Sequence, residues 1–270
     1  MPPVAENRVV VRGAGEMASG VIRQLVTSGY EVIALEQPNP CFVRRYVCYA
    51  EAFYAERATI ENVTAALVQS VNEAVKAVSN KLIPLLVDPE ARRLADLSPL
   101  AVIDGRMLKE NIDSSRDMAP VVIGLGPGFV AGQNCHAAVE TNRGDDLGRV
   151  LYAGHTQRDT GTPSAVNGFT HQRVLRSPGD GKFTSHCRIT DMVKVGQRVG
   201  EVSGLPIVSE IDGMIRGMLH NGLHVCSGQK VGDVDPRANR EDCFRISTKA
   251  HTIGRGVLEA LTSLKDKSTY

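Results

Sequence analysis

The sequence predicts an α/β protein: a mostly parallel sheet covered by helices, then a smaller duplicated all-β domain and a short terminal helix. Three observations lead to this. Residues Arg8 to Glu36 read as strand, glycine turn, helix and strand; apolar runs of strand length recur at 82–88, 100–104 and 120–126; and a repeat with an offset of 32 positions fills much of the last hundred residues. A strand, helix, strand unit with short connections makes a parallel crossover, which needs helices over the sheet.

Taken in order, RVVVR (8–12) is a β-branched run followed by GAGEMASG. Val21, Ile22, Leu25 and Val26 then fall at helical spacing, and Ser28-Gly29 suits a helix end. EVIALE (31–36) resumes a strand, and Pro38 and Pro40 close the unit. CFVRRYVCYAEAFY (41–54) fits either strand or irregular structure. Val63, Leu67, Val71, Val75 and Val78 recur every three or four residues, which predicts an amphipathic helix over 61–78. LIPLLVD, LAVID and PVVIGLG are short buried-strand runs ending at Asp or Gly, and HAAVETN and GRVLYAG can complete the sheet.

From His155 the chain turns rich in Thr, Gly, Ser and Asn, a connector, so the domain boundary is placed near 168: residues 1–168 form the first domain and 169–270 the second. Beyond it, Asp180-Gly181 matches Asp212-Gly213, Gly196-Gln197 matches Gly228-Gln229, and Val199-Gly200 matches Val231-Gly232. Each half is a short all-β unit that must pair with its twin to bury a face. Val257, Leu258, Leu261 and Leu264 mark the terminal helix.

The 270 residues carry 31 basic and 30 acidic side chains, a net charge of +1, so no overall field gathers nucleic acid or anionic membrane. With no Trp, a base-stacking surface is not expected either. No apolar run reaches the roughly 20 residues that span a bilayer, and no leader pattern opens the sequence. The expectation is a cytoplasmic protein with reduced thiols, since its six cysteines contain no C-x-x-C pair. A homo-oligomer is compatible with this reading.

Gly13, Gly15 and Ala18 form G-x-G-x-x-A between strand and helix, with Glu36 ending the next strand. This is the arrangement of a Rossmann-like nucleotide site. The glycines admit a pyrophosphate, the helix start offers N–H donors, and the acid accepts from a ribose hydroxyl; the alternative is that these residues only permit close helix packing. Arg12 must find an acid or a bound anion, because an unpaired buried guanidinium is very costly. Arg44 and Arg45 could join it in clamping phosphate, or form a solvated loop edge. Gly124, Gly126 and Gly128 make a second glycine loop after a strand, a further anion contact or a tight turn shaped by Pro127. Glu140, Asn142 and Arg143 form a polar cluster downstream, where loops hold function disproportionately.

Among nucleophiles, Cys41 and Cys135 lie near strand ends beside basic residues, and His136 follows; a thiolate there could carry sulfur or selenium, although free cysteines are usually small buried hydrophobes. His186, Cys187, His220, His224 and Cys226 read as exposed loop residues rather than metal ligands, so no metal is expected.

These residues resemble two families. VKVGQRVGEV (193–202), matched by CSGQKVGDV, resembles the lipoyl/biotinyl-like barrel-sandwich fold, but the joint EVSGLPIVSE lacks the carrier lysine. From residue 8 to 262 the chain resembles the YqeB-type selenium-dependent molybdenum hydroxylase system proteins, through RGAGEMASGV, LVDPE, VIGLGPGF, ETNRGDDLGRV and GDVDPR. The resemblance implies an accessory or maturation protein that binds the molybdenum cofactor, a pterin phosphate or its dinucleotide form, during sulfur or selenium insertion, with a client hydroxylase as partner. In that setting Arg12, Gly13, Gly15, Gly126 and Arg143 would hold anions, and Glu36 and Glu140 would accept from hydroxyl or pterin N–H groups. The alternatives are an NAD(P)-dependent oxidoreductase and a non-enzymatic interaction scaffold, so whether the chain is an enzyme stays open at this point.

Overall fold

The computed structural model describes residues 5–268. Two compact units divide the chain: the first comprises the residues up to Pro40, Cys48–Thr160 and those from Ile246 onward, and the second Cys41–Val47 and Gly161–Arg245. The terminal helix therefore belongs to the first unit, where the sequence reading had grouped it with the β repeat.

The first unit contains strands β1 (Ala5–Arg12), β2 (Glu31–Glu36), β3 (Arg57–Ile60), β4 (Val63–Val68), β5 (Ile83–Val87), β6 (Pro99–Asp104), β7 (Val121–Leu125), β8 (Val130–Ala131), β9 (Ala137–Val139), β10 (Val150–Leu151) and β11 (Gly154–His155). Its helices are α1 (Glu16–Thr27), α2 (Ala52–Ala55), α3 (Val71–Ser79), α4 (Leu94–Leu97) and α5 (Thr248–Ser268). Nine strands form one sheet in the order β10-β9-β7-β6-β1-β2-β5-β4-β3. The seven inner strands run parallel, whereas β3 and β10 pair antiparallel at the two edges.

This mixed sheet corrects the expected Rossmann-like fold. The opening β1-α1-β2 crossover is present, but the connection from β6 to β7 holds only a 3-10 turn at Arg116–Met118 where a doubly wound dinucleotide fold places a helix. The helix expected over 61–78 is also corrected. Val63 and Leu67 lie in β4, and only Val71, Val75 and Val78 lie in a helix, α3, whose Ser70 cap accepts from the Glu73 amide. A strand followed at once by a helix had simulated one continuous period.

Side chains alternate across the strands, so each inner strand buries both faces. Val10, Ile33, Leu35, Val102 and Val122 form one core with Ala74 and Ala77 of α3 and Phe129. The other face carries α1 and α5, which cross with almost no side chain between them. A Cβ on Gly20 would stand 2.6 Å from the Ala250 carbonyl oxygen, and one on Gly254 would stand 2.8 Å from the Gly20 oxygen. That contact fixes the start of α5 beside the start of α1.

The second unit contains β12 (Val174–Arg176), β13 (Gly181–Ser185), β14 (Met192–Val193), β15 (Arg198–Val202), β16 (Leu205–Val208), β17 (Gly213–Met218), β18 (His224–Val225) and β19 (Lys230–Asp235). Two four-stranded antiparallel sheets, β12-β19-β17-β14 and β16-β15-β13-β18, close on a core that includes Phe183, Val199, Ile215 and Val231. The repeat is visible in the register. Phe183 pairs with Val202 and, 32 positions on, Ile215 pairs with Val234. Each half lends one short strand to the other: β14 pairs with β17 and β18 with β13. The expected lipoyl-type barrel-sandwich is corrected to these two open sheets, to which β12 adds a strand from outside the repeat.

Candidate functional site

The carboxyl ends of the parallel strands form a row in which Leu35, Arg12, Asp104 and Gly124 are register neighbours and Leu125 pairs with Val139. Residues after these positions therefore converge on one edge, where open sheets present ligand sites. The row has a closed end and an open end.

At the closed end, Arg12 is 1% exposed and bound by its own chain. Its Nη1 and Nη2 donate to both oxygens of Asp113 at 3.0 and 2.7 Å, and further bonds go to Ser114 Oγ and the Pro89 carbonyl. Arg106 completes the group, donating to Asp104 at 2.5 Å and to Asp113 at 2.6 Å, and Ser114 Oγ donates to Asp104 at 2.6 Å. Partial burial alone would raise the Asp113 pKa, but the two guanidinium groups outweigh it and hold that carboxyl at about 2. Two bidentate pairs with satisfied neighbours make this a structural ion network.

The predicted phosphate contacts around it are corrected. Gly13 takes φ +92°, and a Cβ there would meet the Arg106 backbone at 3.2 Å, so the Gly13 side of the first glycine turn is filled by protein. Glu36 accepts from the Ala14 and Gln37 amides, the place where a ribose would bind. Burial raises its pKa against those amides and against Arg106. Ala18 packs on Gly105. In the second loop, a Cβ on Gly124 would fall 2.0 Å from the Phe129 ring, Gly126 faces Thr141 Oγ1, and Gly128 abuts the Glu110 and Asn111 backbone. These glycines serve packing, the alternative weighed from the sequence.

Glu140 and Asn142 also turn inward. The buried Glu140 carboxylate accepts from the Thr141, Asn142 and Gln157 amides at 2.7 Å each, and Asn142 donates to the Arg158 carbonyl. They shape the turn that presents Arg143.

Burial works against the thiolate at both cysteine candidates. Cys135 is fully buried in the core, which pushes its thiol to about 11. His136 Nδ1 accepts from the Val122 amide, and burial with Arg116 lowers its pKa, so the ring extends the pairing of β7 with β9. Cys41 lies in the second unit, its thiol raised by partial burial despite a bond to Gln229. Arg44 is buried there, donating to the Asp242 and Arg245 carbonyls, and Arg45 lies 3.1 Å from His220. Neither arginine belongs to the unit that holds Arg12.

The open end lies between the starts of α1 and α5 and the 140–148 turn. A Cβ on Gly15 would meet no atom within 4 Å, whereas one on Gly148 would stand 2.7 Å from the Thr252 carbonyl of α5. Lys249 comes from the first turn of α5 and is half-buried. Desolvation lowers its pKa and Arg143 lowers it further, against the opposing pull of Glu16, Asp159 and Glu140. Sequence reasoning found Gly15 and Arg143 but missed Lys249, Asp104, Arg106 and Asp113. An Asp ending the strand LAVID was a usable signal for Asp104; nothing local marks Lys249, which depends on the return of α5 to the first unit. Among the described residues, no cluster of three or more His, Cys, Asp or Glu side chains could hold a metal ion, and no helix is long and apolar enough to cross a membrane.

No known protein-family model matches the chain. It is 44% identical over 262 residues to the uncharacterized protein YqeB of Escherichia coli (strain K12), covering 97% of this chain and 48% of that protein. The chain thus spans about half the length of the curated relative it matches. Among solved structures it is similar to an aspartoacylase family protein from Mesorhizobium loti at 14% identity and TM-score 0.27, with 84% of each chain covered. It is also similar to the ectoine utilization protein EutE from Ruegeria pomeroyi at 11% identity and TM-score 0.26, with 86% of each chain covered. A succinylglutamate desuccinylase from Silicibacter sp. matches at 12% identity and TM-score 0.25, over 86% of this chain and 85% of that one. These are not molybdenum-cofactor maturation factors or NAD(P) oxidoreductases, the two activities expected from the sequence. With TM-scores near 0.26 the likenesses are weak, and the correction rests on the residues: Arg12, Glu36, Gly13 and the second glycine loop, which a pterin or dinucleotide phosphate required, are engaged by the protein itself. The likeness to YqeB stands as a likeness of sequence, with no activity attached.

Proposed function

We propose that the first unit binds a small acidic molecule, bearing a carboxylate or phosphate, at the open end of the strand row, between Gly15, Arg143 and Lys249. The observation that supports this reading is the nearness of Arg143 to a half-buried Lys249 at the start of α5, with open space at Gly15 before α1. Burial and the nearby Arg143 both disfavour the charged form of Lys249, and an acidic ligand beside that amine offsets both. Arg143 would anchor the acid. Lys249, while protonated, would pair with the same acidic group, and its lowered pKa makes that pairing sensitive to pH. Glu16 and Asp159 set the limit on how far that pKa falls.

The test is calorimetric titration of the whole chain with succinate and with inorganic phosphate, for wild type, Arg143→Gln and Lys249→Met, from pH 6 to 10. Binding by one or both anions is expected, weakened about tenfold in Arg143→Gln, as befits loss of a charge-assisted bond. Wild-type affinity should fall as pH rises through the Lys249 pKa, and that dependence should vanish in Lys249→Met. Equal affinity in all three proteins, or no binding of either anion, overturns the reading.

A further inference from the structure

The second unit holds a cavity of about 370 Å³ that the sheet edge of the first unit does not explain. Its walls come from three segments: Arg45, the turn Ser185–Arg188 after β13, and Met218–Asn221 at the end of β17. The last two are twins under the repeat, for adding 32 takes His186 to Met218 and Arg188 to His220. The cavity therefore straddles the pseudo-two-fold relation between the halves, and each half places a basic side chain at the same register.

The third wall arrives from outside the repeat. Residues 41–47 leave the first unit and dock on β17, where the Val43 carbonyl accepts from the Met218 amide at 2.8 Å. The close approach requires Gly217, since a Cβ there would stand 2.8 Å from the Val43 oxygen. That docking delivers Arg45 to the cavity, with Nη1 3.1 Å from His220 Nδ1. Arg45, Arg188, His186 and His220 thus face one space, and no carboxylate is among the lining residues. Glu201 touches His186 from outside the lining, at 3.6 Å. The apolar part of the lining is Met218 and Leu219.

Guanidinium forks and imidazoles facing a shared space match the tetrahedral oxygens of a phosphoryl group, and the volume suits a small organic body as well. We infer that this cavity is a binding site for a small phosphate monoester, its phosphoryl group between Arg45, Arg188 and His220 and its organic part against Met218 and Leu219. The inference is independent of the proposal for the first unit.

Titration of the full chain with phenyl phosphate and with inorganic phosphate, followed by phosphorus NMR and calorimetry, tests it. Phenyl phosphate should bind more tightly than inorganic phosphate, because its ring covers the apolar wall. Arg188→Gln, at an exposed position that folding does not need, should weaken phenyl phosphate about tenfold. Arg45→Lys, which keeps the charge but loses the fork, should weaken it as well. No binding by wild type at about 10 mM, a regime weaker than useful recognition, overturns the inference. So does unchanged affinity in both folded variants. Loss in Arg143→Gln with retention in Arg188→Gln would put the phosphate in the first unit and overturn this site while leaving the earlier proposal intact.

Discussion

Arg12 and Lys249 both stand at the carboxyl edge of the nine-stranded sheet, and they differ in what the chain supplies around them. Arg12 is given two carboxylates, a hydroxyl and a carbonyl, all within its own unit. Lys249 is given a competing cation as well as carboxylates. The position of a basic residue at a strand end therefore does not make a ligand site. The question is whether the protein's own acids close the arrangement or leave it to be completed from solution.

Arg12→Met would break the comparison most strongly. It removes the cation from between Asp104, which is 1% exposed, and Asp113, and leaves buried negative charge with only Arg106 to answer it. Breaking a buried pair from one side costs about 3–5 kcal/mol. Urea unfolding should show a loss of that size with an unchanged slope. A loss within experimental error of zero would mean that Arg12 is not the keystone of the closed end, and its availability to ligands would have to be reconsidered.

How much of this was legible beforehand follows the same division. The strands and α1 are local: RVVVR, EVIALE, LAVID and the apolar face of α1 each carry their own pattern, and they form where the sequence places them. The repeat was legible as well, because glycine and valine positions set the strand starts in both halves. What failed was anything decided by distant partners. Val63 and Leu67 satisfy helical spacing but lie in β4, where pairing with β5 outweighs local preference. Arg12 announced its need for an acid, yet its main acid, Asp113, lies 101 residues away in an irregular loop with no pattern of its own. Arg44 and Arg45 looked like neighbours of Arg12 in function, and the chain carries them into another unit altogether.

Asp113→Asn sharpens the closed end at smaller scale. The folded pKa of Asp113 is depressed from 3.8 to about 2, so its contribution to stability is present above the unfolded value and is lost as pH falls from 3.8 toward 2. Part of the wild-type acid unfolding limb should therefore disappear in Asp113→Asn, while stability near neutrality drops only moderately, because the carboxyl is partly solvated. Unfolding midpoints at a series of pH values check it. An acid limb of identical shape in both proteins would assign the acid sensitivity to other carboxyls.

The smallest effect belongs to the open end, where stability again rises with pH, but because burial disfavours the charged form of Lys249, whereas the guanidinium groups favour that of Asp113. A lysine whose folded pKa is lowered binds fewer protons in the native than in the unfolded state between that pKa and 10.5, so stability should rise with pH across this window. Lys249→Met removes the titrating amine, and the difference in stability between the two proteins should narrow as pH climbs toward 10.5, since wild type sheds the desolvated charge that the variant never had. Comparing the pair cancels the lysines and tyrosines that titrate alongside. A difference that stays constant across the window would show that Lys249 is solvated like any surface lysine, and the contrast between the two ends of the row would then reduce to the ion network around Arg12 alone.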